Sequence, residues 1–452
     1  MRRKSISSLF FDFNDAGLPK VVVDFRNKYR AVHYALKSTP GILDLAHEDF
    51  KSLSRGEGGR SGDYTSETIL RTLIVHFLEG KSLRETIIMI AESRFLQEFT
   101  LSHKMEVMDY SFLDRCLKVL QPGTVESIHL ALAKAAVQSG KVNPDILRLD
   151  TTVVETNIHF PTDSSLLWDS YAMIERLLGK AREMSSKAVP WRFHTKKIKA
   201  LHLYITRYSK SQSLRRRRRT KTKMRILIKR VKEAVEKAGQ FCANFMYSEL
   251  KGVSNIADEL ATYLPSMEQV VWVAERKYLL GETVPARERV FSIHEPHTKL
   301  IMRGRRSKPV EFGHKLFLAQ TKEKFILDFS VMDETKPDSV LAKEFIEKHK
   351  KAYRKEPEVI AADKGFCPSV EEYRELEKMV DTLAIPRRAR DLVDAVMKGW
   401  QFFRAGIEGS ISGLKRAFRL SRCMYRGFKT YRVAVGMGVI AHNLLLFGKM
   451  LL

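Results

Sequence analysis

Cysteine is scarce in this 452-residue chain, with Cys116, Cys242, Cys367 and Cys423 far apart. No two of them form a CxxC pair, which excludes the common zinc spacings and a disulfide framework and fits a reducing cytoplasm. Neither a phosphate-cradling P-loop nor a GxGxxG turn occurs, so neither nucleotide hydrolysis nor a nucleotide cofactor is indicated. Internal repeats are absent. Long hydrophobic runs are almost absent too. The opening MRRKSISSLFFDFNDAG has an apolar run too short for a signal peptide. VAVGMGVIAHNLLLFGKMLL is the one membrane candidate, but it carries His442, Asn443 and Lys449 and is expected to be a buried helix rather than a span.

Acidic residues are also in short supply. Fifty-three Asp and Glu stand against 79 Lys and Arg, leaving +26. Phosphate neutralisation by Lys and Arg drives non-specific nucleic-acid binding, so a polyanionic partner is the natural expectation. An anionic membrane surface or a ribosome-associated protein would fit the charge as well. The imbalance is concentrated between residues 191 and 240, where eighteen Lys and Arg face only Glu233 and Glu236. Arg215, Arg216, Arg217, Arg218 and Arg219 follow one another there without a break. Such a run is a solvated face in shape and an electrostatic footprint in function.

What remains is ample for packed cores: 44% hydrophobic and 10% aromatic residues over a length that accommodates two or three domains. Residues from about 64 to 138 show apolar positions three and four apart, with Thr65 and Ser66 as caps and Ser82 with Glu85 as a capping box. They serve equally as a DNA-reading helix-turn-helix or a plain bundle. ILRLDTTVVET, starting at residue 146, reads as a buried strand with Asp150 at its middle. Residues 168–285 read as helical. RVFSIH, KLIMRG, FGHKLFLAQ and FILDFSVMD then read as short strands, SVLAKEFIEKHKKAY as an amphipathic helix, EVIAAD and DTLAIP as strands, and the rest as helix. The pattern predicts a mixed α/β catalytic core over 146–167 and 286–452, interrupted by a basic helical insertion over 168–285 and preceded by a helical N-terminal domain over 1–145.

Three acids stand out. Asp150 is the lone acid inside the apolar run LRLDTT, where it needs pairing or a metal. Asp363 ends the strand EVIAA before the turn Lys364-Gly365-Phe366. Carboxylates at the ends of adjacent strands can converge on magnesium, and two such ions can activate the attacking oxygen and stabilise the leaving one in phosphoryl transfer. Taken singly, either Asp reads as an N-cap or turn residue. In QFFRAGIEGSISGLKRAF, Arg404, Glu408 and Lys415 fall on one helical stripe. That stripe is a surface salt-bridge ladder if it stands alone. Combined with two strand Asp residues in this order, it reads as a third carboxylate bracketed by phosphate-binding cations. Asp328 is a substitute second acid or a strand-edge residue. His294, His297 and His314 fit no zinc pattern and read as exposed or DNA-contacting. Arg387, Arg388 and Arg390 form a basic loop placed to touch DNA near the site or only to be solvated.

Arg404-x3-Glu408-x6-Lys415 resembles the end of the Tyr-x2-Arg-x3-Glu-x6-Lys signature of DDE transposases from bacterial insertion sequences. LRLDTTVVETNIHFPTDSSLL, HEPHTKLIMRGRRSKPVEFGHKL, AADKGF and YRGFKTYRVAVGMGVIAHNLL resemble that family's first-Asp region, strand block, second-Asp turn and closing helix. DYTSETILRTLIVHFLEGKSLRE is similar to its N-terminal domain, in the ISNCY or IS-five-like groups. The signature Tyr is replaced by Gln401. The resemblance implies an RNase H-like core in a cytoplasmic, nucleoid-associated bacterial protein. It further implies that Asp150, Asp363 and Glu408 hold two Mg2+ ions, with Mn2+ able to substitute. Water would release a 3′-OH at the transposon end, and that hydroxyl would attack target DNA, with a homodimer acting on paired ends. A catalytically dead DNA-binding descendant and an RNase H-like nuclease without strand transfer are the alternatives.

Overall fold

The computed structural model describes residues 2–5, 13–53, 64–103, 106–185, 188–302, 309–333, 336–386 and 394–452. In chain order the helices are α1 (Lys20–Lys37), α2 (Gly41–Lys51), α3 (Ser66–Glu79), α4 (Leu83–Glu92), α5 (Arg94–Phe99), α6 (Tyr110–Val119) and α7 (Pro122–Gln138), followed by strand β1 (Ile146–Thr156). Helices α8 (Asp163–Met184), α9 (Thr195–Tyr208), α10 (Leu214–Phe245) and α11 (Lys251–Tyr278) come next. The chain continues through β2 (Lys299–Met302), β3 (Val310–Thr321), β4 (Ile326–Val331), α12 (Asp338–Tyr353), β5 (Val359–Ala361), α13 (Val370–Glu377), β6 (Thr382–Ala384), α14 (Ala395–Ala417), β7 (Arg422–Cys423) and α15 (Phe428–Leu451). It folds as two compact units, one of residues 1–157 with 313–452, the other of residues 158–312.

The first unit is built on a mixed sheet. β1 is central and lies antiparallel to β3, which lies antiparallel to β4. On its other side β1 runs parallel to β5, and β5 parallel to β6, while β7 pairs with the far end of β1. The meander β3–β4 and the parallel pair β5–β6 therefore meet on one strand, and that strand carries Asp150. β1 is suited to this place because Leu147, Leu149, Val153 and Val154 are buried and three of its residues are β-branched Val or Ile.

Helices α1–α7 do not stand apart from the sheet. Tyr29, Phe50, Leu73, Phe99 and Leu132 belong to the same apolar cluster as Leu149, Phe317, Ile360 and Phe447. The stretch 1–145 thus shares its core with the sheet and its flanking helices rather than enclosing one of its own. The expected caps are present: Thr65 accepts from the Thr68 N–H, and Ser82 and Glu85 form a capping box. Ser66 is the first helical residue.

The C-terminal α15 is long and apolar enough to cross a membrane, yet 72% of its most apolar stretch is buried within the fold. Polar groups dock it. Asn443 is fully buried, accepts from the Ile326 N–H at 3.1 Å and donates to the Ile326 carbonyl at 2.7 Å. His129 of α7 donates to the same carbonyl at 2.9 Å, and burial holds its pKa down at about 4, so the ring is neutral. Tyr431 donates to the Val154 carbonyl of β1 at 2.6 Å. Buried polar groups paired in this way fix register where apolar contact alone would not.

The second unit packs α8–α11 around Leu167, Ile174, Leu178, Leu227, Val231, Phe241, Leu260 and Met267. α10 is 32 residues long, and its first buried residue is Met224, so its arginine-rich first turns contribute nothing to this core. The expected strand RVFSIH does not form. Ser292 Oγ accepts from the N–H groups of His294 and Glu295, both at 3.2 Å, and this local turn takes donors a ladder would need. All four cysteines are buried.

Candidate active site

Asp150 lies opposite Leu318 on β1, and its side chain is 17% exposed. Alternation puts Arg148 on the same face. Arg148 donates from Nη1 to the Phe403 carbonyl and from Nε to Gln320 Oε1, both at 2.8 Å, with its guanidinium over the Phe403 ring. These bonds hold α14 across that face of β1. The approach is close at Gly406, where a Cβ would overlap Arg148 Nη1 and force it to shift.

Residue 404 follows directly. The Arg404 guanidinium is 4.0 Å from Asp150 Oδ2 and 3.1 Å from Glu408 Oε1, so it bridges the strand acid and the helix acid. Glu408 is 63% exposed and can swing; Arg404, 18% exposed, is held. The Asp150 carboxyl is pushed up to about 6. Burial is the largest cause; the negative charges of Asp363 and Glu408 add to it, and the Thr151 N–H and Arg404 oppose it. The fields of both other acids therefore reach Asp150.

Asp363 is exposed, two residues past the end of β5, and caps the turn Lys364–Phe366 by accepting from the Gly365 N–H at 2.9 Å. The N-cap reading and the site reading of this residue are thus compatible. Gln401, where the resemblance expects tyrosine, donates its amide to the Ala384 carbonyl at 3.1 Å and the Ala362 carbonyl at 3.4 Å. It ties α14 to the ends of β5 and β6, one residue before Asp363.

The sequence reading missed Asp338. This first residue of α12 pairs with Lys315 at 2.8 Å and accepts from Thr151 Oγ1 at 3.5 Å. One point beside Gly365 lies 3.0 Å from Asp363 Oδ1 and 3.8 Å from Asp338 Oδ2. The available signal was Pro337-Asp338 opening an amphipathic helix, which reads as a helix start and nothing more.

Other expected residues fall as follows. Lys415 is half-buried near the end of α14, about 10 Å along the axis from Glu408. Arg215–Arg219 are exposed on α10 in the second unit. Arg387, Arg388 and Arg390 lie outside the described residues. Asp328 does not join the site: it sits on β4, two strands from Asp150, with Lys348 at 3.7 Å. His314, expected to be exposed, is buried with its Nδ1 2.7 Å from the Met332 carbonyl. His297 pairs with Glu295 at 2.8 Å.

Among the described residues, no three His, Cys, Asp or Glu side chains are set closely enough to hold a metal ion as they stand. The donor chemistry nevertheless suits a hard divalent cation: carboxylate oxygens alone, one of them buried within the field of two others. Compared with known proteins, the chain matches no family model, no curated protein and no solved structure.

Proposed function

We propose that the protein is a DNA transposase that cuts at transposon ends and joins them to target DNA by divalent-metal-dependent phosphoryl transfer. The observation that carries this reading is Arg404 bridging Asp150 and Glu408 while Asp363 acts electrostatically on the same Asp150. Asp150, buried on the central strand with two more carboxylates acting on it, is otherwise an unexplained burden. The order strand, meander, helix, strand, strand, helix, with β1 joining both halves, supports an RNase H-like assignment for the core.

In this reading Asp150, Asp363 and Glu408 hold Mg2+, with Mn2+ as a substitute. The metal supplies charge for activating the attacking oxygen and stabilising the leaving one. The chain does the rest. Burial of Asp150 fixes one ligand on a rigid strand, and the Gly365 N–H orients Asp363. Arg404 pairs with Glu408 and presents a cation to the scissile phosphate. Lys415 adds a second cation farther along the strand path. Asp338 pairs with Lys315 of β3 and accepts from Thr151 of β1, which anchors the start of α12 beside the turn that carries Asp363. Arg215–Arg219 supply sequence-independent affinity for flanking DNA. A homodimer on paired ends follows from the resemblance to DDE transposases.

A catalytically dead DNA-binding descendant is the second reading, favoured by Gln401 where that family has tyrosine. One experiment decides between them: nicking of a labelled duplex carrying the element's own ends, in Mg2+ or Mn2+, by wild type and Glu408→Gln. Metal-dependent nicking abolished by the substitution, with binding retained, supports the transposase. Binding without nicking by either protein supports the descendant.

A further inference from the structure

A cavity of about 430 Å3 lies within the first unit, where α3 turns into α4 against the chain leaving α14. It is within the size range of small-ligand sites. Its floor is apolar, from Phe77, Leu83, Phe418 and Leu420, and its mouth is cationic, from Lys81, Arg84 and Arg419. Among the described residues these three cations form no ion pair with a carboxylate. The acids nearby are already engaged: Asp114 with Lys118, Glu85 in the capping box with Ser82, and Glu155 with Arg422. On one wall the Arg84 guanidinium lies over the Tyr110 ring at 4.5 Å and bonds its hydroxyl at 3.0 Å, and Tyr110 is 38% exposed. An aromatic face, an apolar floor and unneutralised guanidinium groups are complementary to one chemistry, a ring carrying a phosphate.

The backbone supplies a second, independent observation. The Leu420 N–H bonds the Leu414 carbonyl, closing the turn after α14, and Arg419 takes a left-handed conformation in it at φ 55°. Glycine is the usual residue there, because a Cβ is strained. Here the Arg419 side chain is directed over Gly80, whose own Cβ would meet the Ala417 carbonyl at 2.9 Å and Arg419 Cγ at 3.3 Å. Arg419 thus lines the cavity from a backbone conformation that favours glycine.

We propose that this cavity is a nucleotide-binding site, with the base against Tyr110 and the phosphate on Arg84, Arg419 and Lys81. The nucleotide comes from a DNA strand or from the free pool. The strand source rests on the DNA reading above: the end of α14 that leads into Arg419 lies about 14 Å along the helix axis from Glu408, roughly four nucleotides at duplex spacing.

The test uses the full-length protein without metal, so it is independent of cleavage. A single-stranded oligonucleotide bearing 2-aminopurine reports stacking by fluorescence quenching and overall binding by anisotropy; dAMP alone serves as the free-nucleotide probe. Expected is quenching that Tyr110→Phe keeps and Tyr110→Ala reduces about tenfold, with anisotropy changed little because Arg215–Arg219 remain. Quenching displaced by dAMP assigns the free nucleotide; quenching insensitive to dAMP assigns the strand. Arg419→Gly is expected to raise Tm while weakening the quench. Quenching equal in wild type and Tyr110→Ala, or no quenching at all, overturns the proposal. So does loss of self-association, with nucleotide absent, as the only effect of Tyr110→Ala, because the cavity then docks a second copy.

Discussion

Two arginine-bearing helices of this molecule use the same side chain in opposite ways. On α14 Arg404 is largely buried and committed, 3.1 Å from one carboxylate and 4.0 Å from another. On α10, Arg215–Arg219 are exposed, and their ordered contacts are aromatic, with Arg216 over Tyr208 and Arg219 over Tyr204. A desolvated cation acts through one geometry, so its effects are local and large. A solvated row acts through summed charge, so its effects are additive and screened by salt. On the transposase reading proposed above, α14 supplies position and α10 supplies affinity.

The sharpest way to break this comparison is at the acid Arg404 holds. Glu408→Gln keeps shape and removes the charge. Nicking of end-bearing duplex is expected to fall by on the order of 10^3 or more while equilibrium binding stays within a few-fold. Equal losses in both would mean that Glu408 contributes affinity, as α10 does, and not position. Replacing Arg215–Arg219 by Gln should do the reverse. Binding weakens, and the slope of log K against log salt flattens by about 0.9 for each phosphate contact removed. Nicking at saturating DNA should hold. An unchanged slope would remove α10 from the DNA surface.

Gly406 tests the geometry beneath Arg404. Alanine in an exposed helix normally stabilises by about 1 kcal/mol relative to glycine. Here its Cβ meets Arg148 Nη1, which is fixed by Phe403 and Gln320. Overpacking of this kind costs about 1–3 kcal/mol, so Gly406→Ala should lower stability by roughly 1 kcal/mol in urea titration. In an Arg148→Met background the same change should become stabilising. A stabilising Gly406→Ala in the wild-type background would mean that Arg148 moves aside at no cost.

How much of this was legible beforehand follows the same division. Asp150 could be picked out because a charge in LRLDTT contradicts its surroundings, and Asp363 and the Arg404–Glu408 pair because periodicity and strand ends placed them. The cap at Thr65 and the Ser82–Glu85 box were readable because caps are local. Asp338 was not readable: its role depends on Thr151 and Lys315, far away in sequence and joined only by sheet register. The shared core of α1–α7 and the sheet was hidden for the same reason, since amphipathic helices do not name their partners. RVFSIH failed as a strand because a single serine hydroxyl competes with a ladder. The histidine at 314 misled because ring polarity suggests exposure, whereas the fold gives its Nδ1 a carbonyl.

The smallest expected effect extends the comparison to a charge that neither grips DNA nor holds a ligand. Asp328 on β4 is pushed up to about 6, first by burial and partly offset by Lys348. A carboxyl with a folded pKa above its unfolded value binds its proton more tightly in the native state. Its stabilising contribution is therefore full below the unfolded pKa near 4 and is lost as pH rises through about 6. Asp328→Asn removes this titration. The variant should match wild type near pH 4 and exceed it modestly in Tm at pH 7, by an amount Lys348 limits. If the variant is instead less stable at pH 7, the ion pair with Lys348 outweighs desolvation. A partly buried charge would then behave like the committed arginine of α14, with its partner and not its burial setting the sign.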